Sequence, residues 1–334
     1  MARQLISKCD LVLENYSPRV LEHWGLGYEQ VRKLRADIIM VRMPAFGLDG
    51  PWRDRTGYAQ TMEQVSGMAW MTGYRDQAPQ IPNGPCDPIA GTHATAALLL
   101  ALEYRRRTGK GTLVEVPMVG GALNVAAEQV VEYSAYGNLL ERDGNRGPGA
   151  APQNLYLSAD VDDRGRQDRW IALAVETDAQ WEALCTGLGD PSWARAPGLA
   201  TMRDRCAEQD RIDREISAWC EQRSSDEIID RLWPAGVPVA KVIMPHELIG
   251  NPQLDARGFF EQVAHPVTAL NLHGGYPVRF SAGPERLHRR HAATLGQDNE
   301  AILRDLLGLS DDEIRQLRRD GIIGDEPRDA LSGW

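Results

Sequence analysis

One aspartate stands out in this sequence as a group that could do chemistry. Asp87 lies on a turn stiffened by prolines and a glycine, directly before a helix predicted from Pro88, which fits a first helical position, to Arg107. The carboxylate could cap that helix by accepting an orphan backbone N–H. It could instead be a nucleophile, because a carboxylate is already ionised at neutral pH and needs no general base. The neighbouring Cys86 is a second candidate nucleophile.

Strands and helices alternate around this turn. Short apolar runs predict strands at residues 9–15, 37–43 and 112–116, and helices are predicted over residues 18–34, 58–71 and 119–136. The run at 37–43 is apolar throughout its middle, as in a strand buried on both faces. Such alternation is typical of βαβ units, so the sequence predicts a parallel sheet that presents its loops at one edge.

The rest of the chain changes character after residue 137. Residues 137–152 are rich in glycine and proline and predict a linker or a mobile loop. Beyond them come predicted strands at 169–175, 235–242 and 279–281, a helix capped by Asp178, and closing helices at 298–307 and 310–319. The predicted fold is α/β, with a Rossmann-like parallel-sheet lobe in residues 1–150. A smaller α+β lobe occupies 151–239, and 240–334 return to pack on the large lobe.

Composition excludes several classes of function. The 334 residues carry a net charge of −10, which argues against a protein that binds the phosphate backbone of nucleic acids. Apolar runs are too short to span a membrane, and the N-terminus lacks the apolar core of a signal peptide, so a cytoplasmic protein is expected. Five cysteines without CxxC spacing predict reduced thiols, with neither a disulfide framework nor a zinc site.

Further motifs follow one another along nearly the whole chain. They are Glu14-Asn15-Tyr16-Ser17-Pro18, Gly50-Pro51-Trp52-Arg53, Cys86-Asp87-Pro88-Ile89-Ala90-Gly91, Arg107-Thr108-Gly109-Lys110-Gly111 and Asn251-Pro252-Gln253-Leu254. In this order they resemble the class III CoA-transferases, the superfamily of formyl-CoA transferase, carnitine-CoA transferase and acyl-CoA racemase. No single motif carries the resemblance, but their common order does.

The resemblance implies both an assembly and a reaction. It implies a homodimer of two chains threaded through each other like linked rings. It also implies that Asp87 attacks an acyl-CoA thioester to give a mixed aspartyl anhydride and a CoA thiolate. Coenzyme A then enters as part of the substrate, a small carboxylic acid is the second substrate, and no metal or redox cofactor is expected.

Several binding residues follow from matching positions. Asn15 and Tyr16 match CoA contacts at the carboxyl end of a strand, where α/β sheets bind ligands, although Asn15 could simply form a turn. Tyr58 matches a CoA or acyl position and could equally be a packed aromatic. Glu63, on the same predicted helix, is expected on a solvated face. His23 stands where the family places an arginine for the CoA phosphates, and Arg19, one turn earlier, is expected to substitute.

Two alternatives to a self-sufficient transferase stay open. A racemase is disfavoured, because racemases of this superfamily carry histidine near Tyr58 and a phenol is a poor base at neutral pH. The family normally begins with two further βα units, on the order of 60–80 residues. Their absence here predicts a truncated chain or a CoA-binding subunit that depends on a partner. The resemblance also implies a possible role for residues 137–152, because glycine-rich loops in this family close over the reacting thioester.

Overall fold

The computed structural model describes residues 1–284, 286 and 288–326, and they fall into two units. Among the described residues, the first unit comprises 1–142, 264–269 and 289–326; the second comprises 143–263 and the described part of 270–288. The lobe boundaries predicted from the sequence, after residues 150 and 239, stay predictions beside this division. Residues 327–334 of the predicted closing segment lie outside the described residues.

A parallel sheet forms the centre of the first unit. Its strands are β1 (Leu11–Glu14), β2 (Ile39–Arg42) and β3 (Thr112–Glu115), in the order β1-β2-β3. All four residues of β2 are buried: Ile39 and Val41 pack in one apolar cluster, Met40 packs in another with Ile38 just before the strand, and Arg42 hydrogen-bonds Glu14. The predicted parallel sheet is thereby confirmed.

Seven helices accompany these strands along the first 142 residues. They are α1 (Ala2–Lys8), α2 (Pro18–His23), α3 (Tyr28–Leu34), α4 (Ala59–Val65), α5 (Cys86–Thr108), α6 (Met118–Val125) and α7 (Ala127–Tyr136). The single helix predicted over 18–34 is wrong, because Gly25 takes a left-handed φ of +64° and ends α2. The helix predicted over 119–136 is likewise two helices, which meet at Ala126.

An antiparallel sheet forms the second unit, with helices packed on it. Its strands are β4 (Gln153–Leu157), β5 (Trp170–Ala174) and β6 (Val239–Lys241). The helices are α8 (Asp178–Gly187), α9 (Met202–Ala207), α10 (Gln209–Cys220), α11 (Ser225–Leu232) and α12 (Pro252–Ala256), with short 3₁₀ turns at Pro197–Leu199 and Pro245–Leu248. Thr177 caps α8 through a capping box with Gln180, so the predicted cap Asp178 is instead the first helical residue.

The remaining elements lie after residue 259. They are the two-stranded sheet of β7 (Phe260–His265) and β8 (Ala269–Gly274), then α13 (Asn299–Ala301), a π-helical turn at Ile302–Leu306 and α14 (Asp311–Arg319). The strand predicted at 279–281 is wrong, but the N-cap predicted at Ser310 is confirmed by its capping box with Glu313. Among the described residues, no helix is both long and apolar enough to cross a membrane.

The glycine-rich segment 137–152 contains the boundary between the two units. On the first-unit side, Arg142 donates hydrogen bonds to the carbonyls of Tyr74 and Gln77. On the second-unit side, Arg146 donates to Asp213 over 2.6 Å. Each end is therefore anchored in its own unit, as in a linker, and the role as an active-site cover stays a prediction.

Candidate active site

A buried ion pair lies at the carboxyl edge of the parallel sheet. The register places Glu14 beside Arg42 and Arg42 beside Glu115 at the last residues of the three strands. Arg42 Nε donates to Glu14 Oε1 over 2.6 Å, and the second carboxylate oxygen of Glu14 accepts the Tyr16 N–H over 2.9 Å. Arg42 also donates to the carbonyl of Pro18. The pair therefore shapes the turn that follows β1.

This turn exposes the first group of predicted CoA contacts. The rings of Tyr16 and Trp24 meet edge to face with centroids 5.8 Å apart, and both are about half exposed, at 50% and 55%. Within the described residues, the exposed Asn15 side chain makes no hydrogen bond, and Glu14 rather than Asn15 ties the turn. Sequence reasoning missed Trp24, although it lies beside His23 within the matched stretch. The pair offers an apolar surface to a planar ring.

The predicted phosphate contacts lie on α2. His23 is exposed, as is Arg19, whose Nε donates to Asp54 Oδ1 over 2.8 Å. An ion pair this exposed contributes little stability, so a phosphate can take the place of Asp54 at small cost. The structure thus shows Arg19 and His23 as exposed residues of one helix, with the arginine engaged by a carboxylate.

Helix α5 begins earlier than predicted, and this changes the position of Asp87. The first helical residue is Cys86 and the N-cap position is Pro85, so Asp87 is the second residue of the helix and Pro88 the third. The cap interpretation of Asp87 is therefore wrong. Its side chain is exposed, and no hydrogen bond or ion pair engages it in the part of the chain that the structure describes. An exposed and unengaged carboxylate at the start of a helix is open to a substrate.

Glu63 holds the turn before α5. This residue near the end of α4 is 0% exposed, and its carboxylate accepts the backbone N–H groups of Asn83, Gly84 and Cys86 over 3.1, 2.9 and 3.2 Å. The expectation of a solvated face is wrong. No local pattern in the sequence could have shown this, because the three donors are 20 to 23 residues further along the chain.

The surroundings of Cys86 argue against a role as nucleophile. Its thiol is fully buried and lies 3.5 Å from the carbonyl oxygen of Met118, the first residue of α6. Burial, with the nearby charges of Asp87 and Glu63, raises the pKa of the thiol to about 11. Since the thiolate is the reactive form, this cysteine is inert at neutral pH.

Tyr58 is presented to solvent. It occupies the N-cap position of α4 and is 73% exposed, so the packed-aromatic alternative is wrong. Ala59 and Met62 of the same helix are buried, and they hold α4 against the core of the first unit. One short helix therefore carries both the exposed phenol and the buried carboxylate of Glu63.

A family match and similarity to individual proteins both indicate the family that the sequence resembles. The family described as CoA-transferase family III matches residues 1–299. A succinyl-CoA–D-citramalate CoA-transferase of Chloroflexus aurantiacus is 32% identical over 325 residues, which cover 97% of this chain and 79% of that protein. A formyl-CoA:oxalate CoA-transferase of Afipia carboxidovorans is 27% identical over 341 residues, covering 97% and 79%.

A solved structure shows a similar fold. The crystal structure of a CAIB/BAIF family protein from Brucella suis superposes with a TM-score of 0.79 at 28% sequence identity. The superposition covers 91% of this chain and 77% of the other. The arrangement of strands and helices described above is therefore shared with that protein.

Proposed function

The chain belongs to CoA-transferase family III, and from that premise we propose that it moves CoA from an acyl-CoA thioester to a free carboxylic acid through a covalent anhydride at Asp87. One observation carries the proposal: the Asp87 carboxylate is exposed and unengaged at the N-terminus of the 23-residue helix α5. The partial positive charge of that terminus would stabilise the oxyanion formed during attack.

The proposed reaction consists of acyl and thiolate exchanges at one carboxylate. Asp87 attacks the thioester carbonyl, the C–S bond breaks, and CoA leaves as thiolate while a mixed anhydride forms. The thiolate attacks the aspartyl carbonyl and releases the donor acid, leaving an aspartyl-CoA thioester. The acceptor carboxylate attacks that thioester and frees the thiolate again. Attack of the thiolate on the acceptor acyl carbon then gives the new acyl-CoA and restores Asp87, with no net proton or electron transfer.

The CoA moiety is proposed to lie along the carboxyl edge of the parallel sheet. The Tyr16 and Trp24 rings suit stacking by adenine, and Arg19 and His23 suit the phosphates, with Asp54 displaced from Arg19. Asn15 and Tyr58 are the remaining proposed contacts. The support is that all of these side chains are exposed and start from the loops and helices that follow β1 and β2.

A second copy of this chain is the proposed partner. Helices α6 and α7 expose a set of apolar and aromatic side chains that a monomer would leave in water: Leu123, Val125, Val130, Val131, Tyr133 and Tyr136. A patch of this kind marks an interaction surface. The interlocked homodimer implied by the sequence resemblance would cover it. The cytoplasmic location expected from composition stays a prediction.

Trapping of the covalent intermediate tests the function. The protein is incubated briefly with a panel of acyl-CoAs, quenched with hydroxylamine or borohydride, and examined by mass spectrometry of intact and digested chains. A hydroxamate or a reduced product at Asp87 supports the proposal and identifies the donor. CoA binding without any adduct would instead indicate the non-catalytic subunit, whereas exchange of an α-proton with solvent would indicate the racemase.

A further inference from the structure

We propose that Glu63 is a positioning residue for the reaction, one that holds Asp87 in place by ordering the turn before α5. The inference rests on the proposed function of Asp87. Glu63 itself is fully buried, so it does not touch substrate; it acts through the backbone of residues 83–86.

The Glu63 carboxylate accepts a hydrogen bond from every backbone N–H group of the turn formed by residues 83–86. Asn83, Gly84 and Cys86 each donate to Glu63, and Pro85 has no N–H to give. Gly84 and Cys86 share Oε1, whereas Asn83 binds Oε2. One side chain from another helix therefore determines the path of the four residues that precede Asp87.

Glu63 also replaces a missing cap. The first N–H groups of a helix have no partner within the helix, and a side chain at the N-cap position normally accepts one of them. The N-cap residue of α5 is Pro85, whose side chain cannot accept a hydrogen bond. The Cys86 N–H instead donates to Glu63, the acceptor, which lies 23 positions earlier in the chain. The start of α5 thus depends on α4.

The backbone of this turn also favours such support. Asn83 has a left-handed φ of +75°, which residues other than glycine rarely adopt, whereas the φ of +114° at Gly84 is one that glycine adopts readily. In the described residues no lysine, arginine or histidine pairs with Glu63, and its carboxylate oxygens accept hydrogen bonds from backbone N–H groups. Charge-assisted hydrogen bonds are about twice as strong as neutral ones, so loss of the charge weakens all three contacts.

Three variants separate positioning from general stability. Glu63→Gln keeps an oxygen for Gly84 and Cys86 but turns an NH₂ group towards the Asn83 N–H. Glu63→Ala removes all three acceptors. Gln64→Ala, at an exposed position of the same helix, is the matched control. For each protein we would measure the rate of adduct formation at Asp87, the dissociation constant for CoA and the midpoint of thermal unfolding.

The expected order of adduct rates is Gln64→Ala equal to wild type, then Glu63→Gln, then Glu63→Ala. A nucleophile displaced by about 1 Å reacts about 100-fold more slowly, so we expect about 100-fold for alanine and about 10-fold for glutamine. CoA affinity should stay within about twofold, since the contacts proposed for CoA lie elsewhere. Partial recovery in Glu63→Gln relative to Glu63→Ala distinguishes positioning from loss of folding.

Two results would overturn the inference. One is a Glu63→Gln rate equal to that of Gln64→Ala; the other is a parallel loss of rate, CoA affinity and unfolding midpoint, which shows a purely structural role. If Glu63→Ala does not fold, the adduct rates of Glu63→Gln and Gln64→Ala are sufficient to test the positioning role. Absence of an Asp87 adduct in the wild-type protein is a different failure, because it refutes the proposed function itself.

Discussion

At the scale of single residues, three groups within one small region differ because their surroundings differ. Asp87 is exposed and unengaged, Glu63 is buried and engaged by three backbone donors, and Cys86 is buried with a raised pKa. The start of α5 and the adjoining α4 thus hold an unengaged carboxylate, a carboxylate bound by backbone donors and an inert thiol. The environment, more than the residue type, assigns each group its role.

Replacement of the proposed nucleophile should abolish transfer without unfolding the protein. Asp87→Asn is expected to lower the transfer rate by at least about 1000-fold, because an amide cannot form the anhydride. Stability should change by less than about 0.5 kcal/mol, since the side chain is exposed and unengaged. Acyl-CoA assays and urea unfolding measure the two effects. The control is Asp76→Asn, at another exposed position; full transfer activity in Asp87→Asn would refute the assignment.

The raised pKa of Cys86 predicts the reactivity of its thiol. With a pKa of about 11, the thiol stays protonated at pH 8, and thiolate forms only as the pH approaches that value. Iodoacetamide should therefore modify the exposed Cys206 at pH 8 and leave Cys86 unmodified in the folded protein. Mass spectrometry of the digested chain measures both sites. Fast labelling of Cys86 would show that the turn opens in solution.

At the scale of elements, the site is built where strands and helices end. β1 and β2 end at a buried ion pair, α4 ends near a buried carboxylate, and α5 begins at the turn which that carboxylate holds. Each charged group is buried at the end of an element, where backbone N–H groups or carbonyls are left without partners. The site therefore depends on the contacts between elements more than on any one of them.

The strand-end ion pair should contribute strongly to stability. Arg42→Ala leaves the Glu14 carboxylate buried without its cation, and we expect a loss of about 3–5 kcal/mol in the free energy of unfolding. Arg32→Ala removes one partner of an exposed pair with Glu29 and should cost less than about 1 kcal/mol. Urea titration compares the two variants. Equal small effects would mean that water reaches Glu14 in the folded state.

A buried hydrogen-bond network in the second unit should also contribute to stability. Tyr156 is 1% exposed, and its hydroxyl donates to Asp213 over 2.6 Å, beside the hydrogen bond from Arg146. Tyr156→Phe should cost about 1–3 kcal/mol in the free energy of unfolding, because the hydrogen bond to the carboxylate is lost. Tyr104→Phe, at an exposed position of α5 outside the proposed interface, should have almost no effect. A neutral Tyr156→Phe would indicate that Arg146 and Asn154 satisfy Asp213 without the phenol.

At the scale of the whole molecule, the open question is assembly. The first unit exposes apolar side chains along α6 and α7, and the proposed partner for them is a second copy of the chain. Val131, on α7, is 61% exposed, whereas Val267, between β7 and β8, is 76% exposed and lies outside those helices. The two valines allow a matched comparison of one surface with another.

Sedimentation tests this assembly. The wild-type protein should sediment at about twice the chain mass of 37.1 kDa. Val131→Glu places a charge in the proposed interface and should raise the dissociation constant of the dimer at least about 10-fold, whereas Val267→Glu should leave it unchanged. A wild-type monomer would refute the dimer. Equal behaviour of both variants would place the interface elsewhere.

The sequence by itself determined the parallel sheet, the family and the candidate aspartate. Apolar runs, turn residues and motifs such as residues 86–93 are all legible from the order of residues along the chain. Local patterns also predicted the cap at Ser310, but they missed the break at Gly25, where a left-handed turn overrides helix propensity.

Only the tertiary structure decided how the candidate residues are used. It placed Asp87 inside the helix instead of ahead of it, buried Cys86, exposed Tyr58 and brought Glu63 to a turn 20 to 23 residues away. Burial and long-range hydrogen bonds depend on which elements pack together, and no local pattern encodes that packing. For this reason the sequence could single out Asp87 as a candidate, and only the fold could show that Glu63 engages the turn before it.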